Sequence, residues 1–221
     1  MATTTCQGVG DLIVGWDRAM KFEFVAGNLA LDFANTVHNH GSSDPQDDLQ
    51  TYEDLMDWSR QAGLLRERKR RRELQSKKPA QEKLEFAGTI KLREAVYAIF
   101  FNRARGQRVP REALQRLNWH LKHVMTGATL QSAGKQFALA WEAAVPLQRV
   151  RGEITCSAAG LLTSERLDRV RQCAGESCTW LFLDTSRNGL RRWCDMQACG
   201  NRAKVRSFRQ RKAAGLPNAG V

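Results

Sequence analysis

Long apolar runs are missing from this chain. The longest, Ala95 to Phe101, is seven residues, and a membrane-spanning helix needs about 20. The N-terminus has no basic stretch leading into an apolar one, so no secretory leader is expected. Histidine is scarce, at four residues. His38-Asn39-His40 spells the letters of a nuclease motif but stands at an expected helix end, far from any cysteine pair. His120 and His123 lie one helical turn apart with no carboxylate or cysteine motif to complete a metal site. Gly8-Val9-Gly10 lacks the preceding strand and third glycine of a dinucleotide fingerprint. There is no Gly-x-Ser-x-Gly elbow, no phosphate-binding loop and no Cys–His nucleophile pair. The chain is therefore not read as an enzyme. Its 42% apolar and 26% charged residues exclude wholesale disorder. A soluble, cytoplasmic protein of one or two domains is expected, without membrane partners and long enough for a real core.

Acid is short where base is plentiful. The 221 residues carry a formal charge of +12, from 35 Lys plus Arg against 23 Asp plus Glu. Such a balance favours anionic partners, nucleic acid first. The charge is concentrated. Arg187 to Lys212 holds nine basic residues and one acid, Asp195, while Arg66 to Arg72 holds six basic residues and Glu67.

The fold class is read as mostly α with a small β-hairpin, followed by a four-cysteine module with hairpin and helix. Asn28 to Asn39 reads as a helix, with Leu29, Phe33 and Val37 at the spacing of a buried face. Asn28, Asp32, Asn35 and Asn39 line its other side. These residues compete for backbone hydrogen bonds and are poor helix formers. Either they satisfy buried backbone groups, or Asn28, Asp32 and Asn35 line a ligand pocket. Thr51 caps a helix burying Leu55, Met56, Trp58 and Ala62. Residues 66–78 are an exposed helical extension or a flexible linker. Helices are expected over Gln81–Arg105, with Leu84, Ile90, Val96 and Phe100 apolar, and from Pro110 to Met125. Thr129–Ser132 and Gln136–Trp141 form a hairpin. Pro146–Leu162 is helical, and Thr163 or Ser164 caps a short helix reaching Arg171. The expected domains are 20–162 and 163–214, with 1–19 and 215–221 as loose termini.

Cys173-x4-Cys178 and Cys194-x4-Cys199 carry the chemistry. Four thiolates in two close pairs are a preferred tetrahedral donor set for structural zinc, leaving no open position for a catalytic water. One such ion can supply the folding free energy that a segment this small lacks. Two disulfides or four ordinary thiols are the alternatives. Cys6 and Cys156 have no partner motif. Trp180–Leu183 and Leu190–Trp193 read as a hairpin between the pairs, turning at Ser186–Gly189. A helix follows from Asn201 to about Ala214, giving a treble-clef-like order. Arg202, Arg206 and Arg209 share one face of it, and Val205 and Phe208 suit packing on the hairpin. That basic face either contacts phosphates and guanine edges or is merely solvated.

These residues also carry a resemblance. Trp180–Asn188, Arg191–Met196 and Cys199-Gly200-Asn201-Arg202-Ala203-Lys204 resemble the CGNR zinc finger. Gly27–Thr36, Ala62-Gly63-Leu64-Leu65 and Leu92–Tyr97 are similar to the ABATE domain that accompanies it. The resemblance covers about residues 22 to 213. It implies a bacterial protein proposed to be a stress-linked transcription regulator. It also implies Cys173, Cys178, Cys194 and Cys199 as zinc ligands, and a C-terminal module that binds nucleic acid.

The expected function is zinc-dependent DNA binding in transcription regulation. The contact set is Arg187, Arg191, Arg192, Arg202, Lys204, Arg206 and Arg209, mostly on phosphate. The N-terminal domain would sense a small-molecule effector or form a homodimer. The alternative is an RNA-binding or protein-interaction module, with bases stacked on Trp180, Phe182 or Trp193 if those are exposed.

Overall fold

A computed structural model describes residues 21–65, 79–141 and 146–214. The expectations for 1–19, 66–78 and 215–221, including the Arg66–Arg72 block, lie outside the described residues.

Apolar spacing at three and four residues builds the helical framework. In α3 (Pro79–Ala104) the buried face is Leu92, Ala95, Val96, Ile99 and Phe100. In α4 (Arg111–Thr126) it is Ala113, Leu117, His120 and Val124. In α5 (Pro146–Leu162) it is Leu147, Val150, Ile154, Ala158 and Leu161. These faces meet in a single apolar core. The first turns of α3 run past it, so Leu84, expected on the apolar face, is 74% exposed. Pro110 stands one residue before α4 in extended conformation.

α2 (Tyr52–Gln61) starts where its sequence says it should. Thr51 Oγ1 accepts the Asp54 N–H at 3.1 Å, and Asp54 Oδ2 accepts the Thr51 N–H at 2.9 Å. Such a reciprocal cap stabilises a helix by about 1 kcal/mol. Leu55, Met56 and Trp58 are buried, while Ala62 is half-buried at the helix end.

The first helix departs from expectation. α1 is only Leu29–Ala34, and Asn35 ends it. The chain continues into β1 (Val37–His38), antiparallel to β2 (Gln46–Asp47). The polar residues explain the early stop. Asn28 Oδ1 caps the Ala30 and Leu31 N–H groups, and the Asn35 side chain bonds a distant strand instead of solvent. Residues Ala30 to Ala34 are all buried, Asp32 included.

β3 (Ala128–Ala133) and β4 (Gln136–Trp141) form the expected hairpin, closed at Gly134-Lys135 with Ala133 opposite Gln136. Trp141 is its anchor. The indole Nε1 donates to Val124 O at 2.7 Å, and the ring lies where a Cβ on Gly152 would fall, 2.4 Å away.

The C-terminal strands pair differently from the expectation. β5 (Val170–Gln172) pairs antiparallel with β6 (Leu181–Leu183), so the hairpin encloses the first cysteine pair. Ser164 caps a 3-10 turn at Glu165–Arg169 leading into β5. Residues 190–193 form no strand. Asp184 accounts for this by gathering the loop: its carboxylate accepts from Ser186 N and Oγ and from Arg191 N. All three β6 side chains are buried. The Leu183 N–H donates to Ala26 O at 2.8 Å, and Asn35 brackets Leu181. The apolar core therefore runs unbroken across residue 163, from Phe22 to Cys199. No helix among the described residues is long and apolar enough to cross a membrane.

Candidate metal centre and basic surface

Cys173 follows β5, Cys178 precedes β6, Cys194 precedes a wide helical turn at Met196–Gly200, and Cys199 lies within that turn. Asp195 starts that turn by accepting the Ala198 N–H at 2.8 Å. The four sulfurs lie within 4.8 Å of one another. Cys178 and Cys194 are 3.8 Å apart, and Cys194 and Cys199 3.6 Å. A tetrahedron of thiolates about 2.3 Å from zinc has edges of roughly 3.8 Å. Both separations are far beyond the ~2.05 Å of a disulfide. The donor set thus fits zinc, with all four positions filled by protein and the ion acting as a cross-link.

The supporting loops explain several neighbours. A Cβ on Gly175 would come within 2.9 Å of Cys178 Cβ and 3.5 Å of two sulfurs, so glycine lets the first loop close over the site. The Gly175 and Cys194 N–H groups point at Cys173 Sγ from 3.4 and 3.3 Å. A Cβ on Gly200 would meet Met196 Sδ at 2.5 Å. Hydrogen bonds from the Cys178 and Cys194 thiols, with those N–H groups, hold the Cys173 thiol down at about 2. The bond to Cys173 pushes Cys178 up to about 12, and Cys194 rises for the same reason. A divalent ion makes thiolates of all four.

Arg202 completes the arrangement. Its Nη2 lies 3.2 Å from Cys199 Sγ, where a guanidinium offsets the net negative charge of a four-thiolate zinc site. The expectation had placed it on nucleic acid. Arg191 is likewise committed to the fold. It donates to Val25 O at 2.9 Å, to Trp193 O at 2.9 Å and to Cys194 O, and its guanidinium lies 4.5 Å over Phe182. Arg206 pairs with Glu176. Arg187, Arg192, Lys204 and Arg209 are exposed, with no carboxylate partner shown among the described residues.

α6 (Asn201–Ala213) carries six cations, no acid and no buried residue. Val205 and Phe208, expected to pack inward, are each about half exposed. Trp180 and Phe182 are buried and Trp193 is half-buried. The first two belong to the core, and no exposed stacking platform is built from them.

The expected ligand pocket is occupied by the protein's own backbone. Asn28 caps α1, Asp32 Oδ1 accepts the Ala26 N–H at 2.9 Å, and Asn35 bonds Leu181. The histidine letters are structural too. His38 contacts Asp48 at 3.0 Å. His40 contacts Glu94 at 2.7 Å and stacks on Tyr97. Sequence reasoning missed the polar seam around them. Buried Arg93 holds Asp47 through two 2.7 Å bonds, and His40 N and Tyr97 Oη both bond Thr179, next to Cys178. Its only sequence signal was the Arg93-Glu94 pair inside an apolar helix.

Two family models match the chain. One, described as "Putative stress-induced transcription regulator" and called ABATE, matches residues 27–165. The other, the CGNR zinc finger, matches residues 169–212. Neither description names an enzyme. No curated protein matches the chain.

Proposed function

The chain belongs to the ABATE family and ends in a CGNR zinc finger holding one zinc ion, and from that premise we propose that it is a DNA-binding transcription regulator. The observation that carries this reading is α6. A helix with no fully buried residue lacks much of the packing that stabilises most helices in proteins. Six cations with no acid repel one another along it. A polyanion removes that repulsion and gains from counterion release. The helix starts two residues beyond a zinc ligand, so its origin is fixed to the core. Arg187, Arg192, Lys204 and Arg209 are the contacts left free by the fold, and most of their bonds are to phosphate. Zinc here supports the helix and performs no chemistry. The burial of Trp180 and Phe182 argues against a single-stranded RNA platform, which needs exposed rings.

The test is binding of the purified, zinc-loaded chain to a 20-base-pair duplex of random sequence across a salt series. With about five phosphates neutralised, log K should fall against log salt with a slope of roughly −4 to −5. Absence of binding at low salt overturns the reading. Preference for single-stranded RNA in competition moves the function to RNA.

A further inference from the structure

Five of the six cations of α6 stand on two opposite faces, and two of the three on the first face are engaged by the fold. At about 100° per residue, Arg202, Arg206 and Arg209 fall together, and Lys204, Ser207 and Arg211 fall about 180° away. On the first face Arg202 reaches Cys199 Sγ and Arg206 reaches Glu176. The second face forms one wall of a groove of about 360 Å³, and Arg192 and Trp193 form the other. Gly200 lies at its head, where a side chain would collide with Met196 and Trp193. Arg192 lies 5.1 Å over the Trp193 ring, so that aromatic face is covered by a cation. The Arg211 Nε is shut off from solvent and has no hydrogen-bond partner among the described residues. Buried donors are nearly always paired.

We infer that this groove is a phosphate seat, formed by Arg192, Lys204, Ser207 and Arg211, which takes a backbone phosphate of the nucleic acid. The inference rests on the proposed DNA-binding function and adds to it a phosphate contact on the side of α6 opposite Arg202 and Arg206. Three cations and a hydroxyl offer donors and positive charge around one small space, with no carboxylate lining it. A phosphate gives the Arg211 guanidinium an acceptor, which its Nε does not find among the described residues. Arginine and lysine are suited to this ligand in different ways, one as a planar fork and one as a point charge.

Two measurements on the full zinc-loaded chain test the seat. In the first, inorganic phosphate is titrated into 15N-labelled protein and the Arg211 Nε–H resonance is followed, assigned by its absence in Arg211→Gln. The resonance is expected to shift and saturate. In the second, the Lys204→Gln/Arg211→Gln variant is compared with wild type on the 20-base-pair duplex. The salt slope should shrink by about 1, for the one phosphate that the seat holds. Arg206→Gln, on the opposite face, should keep the wild-type slope, and zinc stoichiometry should stay at one in all variants. If wild type binds the duplex while the resonance stays still and the double variant keeps its slope, the seat is overturned. If Arg206→Gln reduces the slope as much per charge as the double variant does, binding is a diffuse field and the seat is equally overturned. If the resonance shifts with phosphate but wild type does not bind the duplex, the seat stands and the DNA function falls.

Discussion

Asn35 meets Leu181 as a neighbouring strand would. Its carboxamide donates to Leu181 O and accepts from Leu181 N, both at 2.8 Å. A side chain at the end of the first helix thus completes the edge of the strand between the two cysteine pairs. Asn35→Ala would leave two buried backbone groups unpaired, at about 1–3 kcal/mol each. Urea unfolding should show a stability loss of about 2–5 kcal/mol. Asn35→Asp, which keeps the acceptor, should lose less. Wild-type stability in the alanine variant would show that water replaces the bracket.

The cysteines share their apolar core with α3, so metal loss should be felt throughout. Cys199→Ser, or removal of zinc by a chelator, should lower the melting temperature of the whole described chain in one transition. Calorimetry with zinc analysis on the same sample checks this. A helical transition left at its wild-type temperature would show instead that the two regions fold independently.

Arg202 bonds a ligand sulfur, and outer partners of this kind typically affect metal affinity by about 10–100-fold. Arg202→Gln should therefore weaken zinc binding by that order in a competition with a chelating dye. Unchanged zinc affinity combined with weaker DNA binding would return Arg202 to the nucleic-acid face.

Gly152→Ala should destabilise the protein although alanine is the better helix former by about 1 kcal/mol. The new methyl group would fall on the Trp141 ring, which its bond to Val124 O holds in place. Overpacking of this kind costs about 1–3 kcal/mol. Thermal melts of Gly152→Ala and of Gly152→Ala/Trp141→Leu separate the terms: the second substitution should relieve the clash of the first. A single variant more stable than wild type would mean that the ring moves aside freely.

Burial raises the Asp32 carboxyl to about 7, against the lowering effect of the Ala26 and Val25 N–H groups and Arg191. In the unfolded chain the group titrates near 3.8. The folded state therefore binds the proton more tightly. Its contribution to stability is complete below about pH 4 and is lost as pH rises to about 7. Asp32→Asn keeps an acceptor for Ala26 without the charge. Stability measured at pH 5 and pH 8 should fall more in wild type than in the variant. Parallel losses would show that Asp32 is ionised at both values.

Legibility followed the range of the interactions. The Thr51–Asp54 cap, the Pro146–Leu162 helix and the Gly134-Lys135 hairpin are local, and their residues announce them. The four cysteines were legible because metal coordination imposes spacing. The β6 partner was not. Leu181, Phe182 and Leu183 are all buried, so no alternation marks a face, and a short apolar strand is compatible with many partners. Asn35 looked like one of a helical stripe because its partner lies 146 residues away. The surroundings of the α6 arginines were not legible for a related reason. Periodicity groups Arg202 with Arg206, but Cys199 and Glu176 decide which face is occupied.

The burial of β6 also bears on how this finger could be cut or transplanted. Residues 163–214 removed from the chain would carry Leu181, Phe182 and Leu183 into water, with the strand edge held by Ala26 and Asn35 left bare. Unprotected apolar edges are templates for aggregation. A soluble excised finger would need residues 22–35 tethered back onto it, or polar replacements along that strand.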